Sequence, residues 1–240
     1  MTQRIAMWSG PRNISTAMMR SFEARGDCRV VDEPFYAAYL QRTGLKHPMR
    51  DAILASQPTA WEDVIRDLDG PHSRPVQYEK HMTHHLLPEL NLDWLDRRTH
   101  AFLLRHPAEV VASYARRHDR IRPEDLGIMQ QARLFDHLCR QLGSPPVVIH
   151  ARDILRDPEA ALSSLCEALG LRFTPRMLSW KPGLRATDGV WASHWYDSVA
   201  ASTGFGSTQP APTQLPAGLQ RVCDALIGPY EGMAAHALPS

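Results

Sequence analysis

Apolar and polar positions along the chain change period several times, and each change predicts an element. Ile5-Ala6-Met7-Trp8 is a short continuous apolar run, the pattern of a strand buried on both faces. Ser9-Gly10-Pro11-Arg12-Asn13 follows with turn chemistry. From Ile14 onward, Met18, Met19 and Phe22 recur at helical spacing, and Gly26 ends that helix. Arg29-Val30-Val31 reads as a second buried strand, stopped by Asp32-Glu33-Pro34.

Residues 36–74 carry a weaker pattern, with one helix expected from Trp61 to Leu68 and an end at Gly70-Pro71. Pro75 to Lys80 alternates like a strand, and His100 to Leu104 is another, closed by Arg105-His106-Pro107. Pro107 suits the first turn of a helix whose apolar face is Val110, Val111 and Tyr114. Residues 123–142 predict a longer amphipathic helix with Ile128, Ala132, Phe135 and Leu138 inward. Val147-Val148-Ile149 is one more buried strand. Asp157 can cap the next helix, with Pro158 at its first position and Gly170 at its end. Residues 180–216 read as an irregular flap and loop, and 217–234 as a final helix. Strands alternating with helices imply an α/β fold with three layers and a central, mostly parallel sheet, expected as a single domain over 1–240.

Composition narrows the function classes. With 240 residues, 43% apolar and 22% charged, the chain can bury a sizeable core. A net charge of +1 gives no long-range field for nucleic acid or an anionic membrane, so any anion site must be local. No apolar run reaches the roughly 18 residues needed to span a bilayer. Met1 to Trp8 passes straight into a strand without a signal-peptide core, so the expected location is cytoplasmic. Cys28, Cys139, Cys166 and Cys223 form no CxxC pair and read as reduced thiols.

A strand, a turn carrying glycine and hydroxyls, and a helix form a cradle for phosphate. The free N–H groups of the first helical turn face the anion and the helix dipole favours it. Arg12 adds a bidentate donor, and Ser15 and Thr16 add hydroxyls. The loop is not a Walker A sequence: Ser15 and Thr16 stand where that pattern needs glycine and lysine. A capped turn with an incidental arginine is the plain alternative.

Arg105-His106-Pro107-Ala108-Glu109-Val110-Val111-Ala112-Ser113 is the second motif. Ser113 follows Arg105 by a little over two helical turns, so both can grip one phosphate. Here the chain resembles the sulfotransferases that use 3′-phosphoadenosine 5′-phosphosulfate (PAPS). Pro11-Arg12-Asn13-Ile14-Ser15-Thr16 resembles that family's 5′-phosphosulfate loop. Arg105 to Ser113 resembles its 3′-phosphate motif. Ile149 to Leu171, with Arg152-Asp153, Asp157-Pro158-Glu159 and Leu165 to Leu171, resembles its closing strand and helix. The resemblance implies a P-loop NTPase-like sulfotransferase fold, PAPS as donor, no metal ion and a small-molecule acceptor.

Asn13 and Ile14 depart from the family's usual Ser-Gly. The late Arg-Lys-Gly loop has its nearest counterpart at Leu184-Arg185-Ala186, followed by Gly189-Val190-Trp191, which makes Arg185 a candidate for the 3′-phosphate. The resemblance gives Arg12 the role of leaving-group cation and Lys80, at a strand end, that of a second catalytic cation. For the base, Glu33 closes the second strand, as in similar bacterial enzymes with Glu-Pro-Phe, and adjacent Asp32 helps raise its pKa. His81 is the second candidate. Many eukaryotic members place a histidine where this chain has Met82. His81 and His85 share a helical face, as zinc-binding pairs do, but show no third ligand. Trp191, Trp195 and Tyr196 either stack on a ligand or pack as a flap on the core. Two other readings stay open: a P-loop-like nucleotide kinase or hydrolase, and a degenerate nucleotide-binding protein of the same fold. The acceptor and the oligomeric state are not readable.

Overall fold

The computed structural model describes residues 2–207 and 214–239. Five strands form one sheet: β1 (Gln3–Ser9), β2 (Cys28–Asp32), β3 (Val76–Met82), β4 (Thr99–Leu104) and β5 (Val147–His150). Their order is β2-β3-β1-β4-β5, and every pairing is parallel.

The strands sit at the apolar runs and extend them by a residue or two. The central strand β1 shows why both faces need cover. Ile5 and Met7 pack on one face with Met18, Met19 and Phe22 of α1 (Ser15–Ala24). Ala6 and Trp8 face the other layer, where Phe135 and Leu138 of a long helix meet them. Each fully buried side chain of this size contributes roughly 1.5–3 kcal/mol of transfer free energy, so this central strand anchors both layers.

The region 36–74, only partly readable in the sequence, holds three short helices: α2 (Tyr36–Thr43), α3 (Arg50–Ser56) and α4 (Trp61–Asp69). Then come α5 (Pro107–Ala115), α6 (Ile128–Leu142), α7 (Ala151–Arg156) and α8 (Pro158–Ala168). Asp157 caps α8 as its sequence implies, accepting from the Ala160 N–H at 3.1 Å, with Pro158 in the first turn. Short helices α9 (Ala192–Trp195) and α10 (Asp197–Ala200) follow, and α11 (Ala217–Ala234) closes the order. Part of the flap and loop expected over 180–216, residues 208–213, lies outside the described residues.

One expected helix is interrupted. The 123–142 stretch opens as a 3-10 turn over Pro123–Leu126, breaks at Gly127 (φ 70°) and continues as α6. The break lets the chain lie against the first loop. A Cβ on Gly10 would come within 2.4 Å of the Leu126 carbonyl oxygen, so only glycine permits that approach. Among the described residues no helix is long and apolar enough to cross a membrane.

Candidate active site

The topology marks where a ligand can sit. The chain leaves β1 through α1 on one face of the sheet and leaves β4 through α5 and α6 on the other. Neighbouring strands whose connections diverge in this way open a crevice at their carboxyl ends. The loop of residues 9–14 stands at the end of β1, and Arg105 stands at the end of β4.

Two residues in that loop, Arg12 (φ 61°) and Ile14 (φ 48°), adopt left-handed backbone conformations. For a β-branched residue such as Ile14 this is a strained state. The loop thus keeps, without glycine, the kind of turn for which glycine is suited. Asn13 holds it down, its amide donating to the Leu103 carbonyl at 2.6 Å. The side-chain Oδ1 of Asn13 is buried and unpartnered. No side chain caps α1, so its first-turn N–H groups at Ser15 and Thr16 are free to meet an anion.

The two loops lock together. The Arg12 guanidinium donates from Nε to Ser113 Oγ at 3.0 Å. Arg105 donates to the Arg12 carbonyl at 2.8 Å and to Glu109 at 2.8 Å. Arg116 donates to the same Ser113 hydroxyl at 3.2 Å. Burial, and then the charges of Arg117, Arg116 and Arg105, push the Arg12 guanidinium below its ordinary value. Arg12, Arg105 and Arg116 are thus tied together at one crevice, with Arg117 close enough for its charge to act on Arg12. Glu109 beside Arg105 and Asp197, 3.8 Å from Arg117, offset part of this charge. Such a cluster is stabilised by a polyanion lying among it. Arg116 and Arg117 escaped the sequence reading, although Arg116 lies three residues beyond Ser113, within the reach of helical neighbours.

A second cluster lies at the ends of β2 and β3, on the other side of β1 from β4. The Lys80 ammonium donates to Asp32 Oδ1 at 2.8 Å, to Glu33 Oε1 at 2.6 Å and to the Tyr196 hydroxyl. Tyr196 donates to the Asp32 carboxylate, whose oxygens lie 2.9 and 2.8 Å away, and accepts from the Trp191 indole at 3.1 Å. Burial alone would lower the Lys80 ammonium, but Asp32 and Glu33 outweigh it and hold the group well above its ordinary value. Burial raises the Glu33 carboxyl; Lys80 opposes this and Asp32 adds to it. The side chains of Lys80 and Asp32 are 1% and 2% exposed, whereas that of Glu33 is 11% exposed. Glu33 is the one carboxylate of this cluster that reaches solvent, and Lys80 engages only its Oε1.

His81 is not brought to this cluster. Strand alternation turns it to the opposite face of β3, where it stacks on Trp8 at 4.4 Å and bonds Glu79 at 3.0 Å. Arg185 also stands apart, paired with Glu23 in the last turn of α1. Trp191 and Tyr196 pack as a flap against α2 and α3. His85 stacks on Tyr36 at 4.6 Å, and Tyr36 in turn bonds His47 at 2.9 Å. Burial lowers the pKa of both histidines, which leaves a neutral aromatic wall next to Lys80. Among the described residues no three His, Cys, Asp or Glu side chains form a group able to hold a metal ion.

A parallel sheet with arginines at its crevice and a carboxylate–lysine cluster beside it is an arrangement suited to holding a polyanion next to a titratable carboxylate. The family model described as "Sulfotransferase domain" matches residues 3–237, and the chain belongs to that family. Two Arabidopsis thaliana relatives, branched-chain-amino-acid aminotransferase-like proteins 1 and 2, are similar to it. The first is 37% identical over 235 residues, covering 97% of this chain and 42% of the relative. The second is 38% identical over 216 residues, covering 88% and 38%. The chain thus spans about two fifths of the length of these relatives. Among solved structures, the sulfotransferase domain from the curacin biosynthetic pathway has a TM-score of 0.51 at 17% identity, covering 95% of this chain and 98% of that one. The sulfotransferase domain from the Synechococcus PCC 7002 olefin synthase has a TM-score of 0.51 at 20% identity, covering 99% and 96%. These two structures share the fold.

Proposed function

We propose that the protein moves a sulfuryl group from PAPS to a hydroxyl or amine of a small acceptor, by in-line displacement without a metal ion. The observation that carries this reading is the linked set of arginines at the ends of β1 and β4: Arg12 and Arg116 on the Ser113 hydroxyl, and Arg105 on the Arg12 carbonyl. A donor with phosphates at both its 3′ and 5′ positions supplies the anions such a cradle needs, together with an activated sulfuryl group. The free first-turn amides of α1 and Arg12 hold the leaving phosphate and take up the charge that builds on it. Arg105 and Ser113 hold the 3′-phosphate.

Glu33 is the base. Its raised pKa makes it a better proton acceptor than an ordinary surface carboxylate, and its Oε2 is left for the acceptor's proton. Lys80 fixes the carboxylate through Oε1 and keeps a positive charge at the reacting edge. The aromatic wall of Tyr36, His47 and His85 lines the acceptor side. The aminotransferase-like names of the relatives belong to proteins more than twice this length, and the sulfotransferase match runs along nearly the whole of this chain.

The test is transfer of label from sulfur-35 PAPS to a panel of small alcohols, phenols and amines. Labelled product at the same rate with and without a chelator is expected. Turnover that requires ATP and magnesium, with no labelled product, would overturn the reading in favour of a kinase.

A further inference from the structure

Residues 185–200 run as a strap from α1, across the end of β2, to α2 and α3. Arg185 and Thr187 bind Glu23, and Arg20 of α1 donates to Asp188 at 2.6 Å. The Gly189 N–H donates to Asp32 Oδ2 at 3.0 Å. Trp191, 1% exposed, and Tyr196 then pack with Tyr36, Leu40 and Ile53. A Cβ on Gly189 would lie 2.1 Å from the Trp191 ring, so glycine is required for this packing.

The Tyr196 hydroxyl sits where the strap meets the lysine–glutamate pair. A phenol offers one donor and two acceptor sites. Here Asp32 takes the donor, and Trp191 and Lys80 fill the two acceptor sites. Packing against α2 and α3 needs only the ring. Besides its strap neighbour Trp191, the hydroxyl serves Asp32 and Lys80, across 164 and 116 positions of sequence.

We infer that Tyr196 is a positioning residue whose hydroxyl fixes the Lys80 ammonium against Glu33, so that closure of the 185–200 strap and assembly of the reacting centre are one event. The inference rests on the reading of Glu33 and Lys80 as that centre, but its first test needs no turnover. The titratable groups that face Lys80 are Asp32 and Glu33 from the end of β2, Tyr78 from β3 itself, Tyr36 from α2, His85 from the turn after β3, and Tyr196. Removing the Tyr196 hydroxyl takes an acceptor from the ammonium, so the Lys80 pKa falls. It also removes a group that lowers the Glu33 pKa, so that of Glu33 rises.

The chain has three lysines, and Lys46 and Lys181 are exposed and serve as internal controls. The experiment is acylation by an amine-reactive reagent over a pH series, read lysine by lysine by mass spectrometry. In Tyr196→Phe, Lys80 is expected to react about tenfold faster, the size of effect that loss of one buried hydrogen bond produces. Its reaction midpoint shifts to lower pH while Lys46 and Lys181 are unchanged. Gly189→Ala, which displaces the strap with the hydroxyl intact, is expected to expose Lys80 as well. If Gly189→Ala exposes Lys80 but Tyr196→Phe leaves it as slow as in the unmodified protein, the strap merely covers the lysine and the inference is overturned. Binding of 3′,5′-adenosine bisphosphate to Tyr196→Phe should stay within about threefold, because its cradle lies at β1 and β4. If the unmodified protein binds no such nucleotide, the sulfuryl-transfer reading fails while the labelling result still decides the role of Tyr196.

Discussion

Lys80 and His81 are neighbours in sequence on β3, and they end up in two polar clusters of opposite character. On the His81 face, Glu79 accepts from Arg98 at 2.8 Å, from Gln77 at 2.7 Å and from His81 at 3.0 Å. Glu79 and Arg98 are both fully buried. Burial alone would raise the Glu79 carboxyl, yet His81 and Arg98 outweigh it and hold the group below its ordinary range. On the Lys80 face, two carboxylates share one ammonium, and the Glu33 carboxyl is raised. The first cluster is matched and sealed from solvent, which suits a structural role. The second has a surplus carboxylate that touches solvent at the edge of the sheet, which is the condition for a base. Burial of titratable groups alone does not mark a site; the local charge balance and access to solvent do.

The contrast can be broken from either side. The largest effect is expected on the Lys80 face. Glu33→Gln should lower turnover by about 100- to 10,000-fold with the fold intact, measured as product nucleotide released at saturating donor. In the unmodified protein the rate should fall as pH drops through a value above the ordinary 4.5 of a glutamate, because the proposed base, Glu33, must be ionised and its pKa is raised. Retained turnover in Glu33→Gln would place the base elsewhere. On the sealed face, Glu79→Ala takes from Arg98 its fully buried carboxylate and leaves it only the partly exposed Asp69, 3.1 Å away. It should cost about 3–5 kcal/mol of stability in urea unfolding. The smallest effect is expected for His81→Gln. It should cost about 1 kcal/mol of stability and leave turnover within about threefold, which separates its structural role from the chemistry of its neighbour.

The strands were legible because each is an apolar run, and the crevice follows from their order with the helices between them. The loop at 9–14 and the Arg105–Ser113 segment were legible because each is a local motif at a strand end. Less legible were α2 and α3, short helices whose apolar positions are few. The break at Gly127 was less legible because what it accommodates, the close approach of the Leu126 carbonyl to the distant Gly10, is encoded in no local pattern. Glu33 and Lys80 stood out at strand ends, and His81 stood out equally. Alternation says that Lys80 and His81 face apart, but it does not say which face meets the crevice. Tyr196 reads locally as one of several aromatics in a flap. Its partners, Asp32 and Lys80, lie far away in the chain, and only the folded strap brings them together. Arg185 matched a motif position, yet the fold pairs it with Glu23.

The central claim is that the arginine cradle at β1 and β4 holds a nucleotide by its 3′- and 5′-phosphates. The most direct measurement is calorimetry with 3′,5′-adenosine bisphosphate and ADP on the unmodified protein and on Arg105→Ala. The account predicts micromolar binding of the bisphosphate, much weaker binding of ADP, and a loss of roughly ten- to a hundredfold in the variant, as expected for a charge-assisted bidentate contact. Tighter binding of ADP, or equal binding of the bisphosphate by Arg105→Ala, would contradict it.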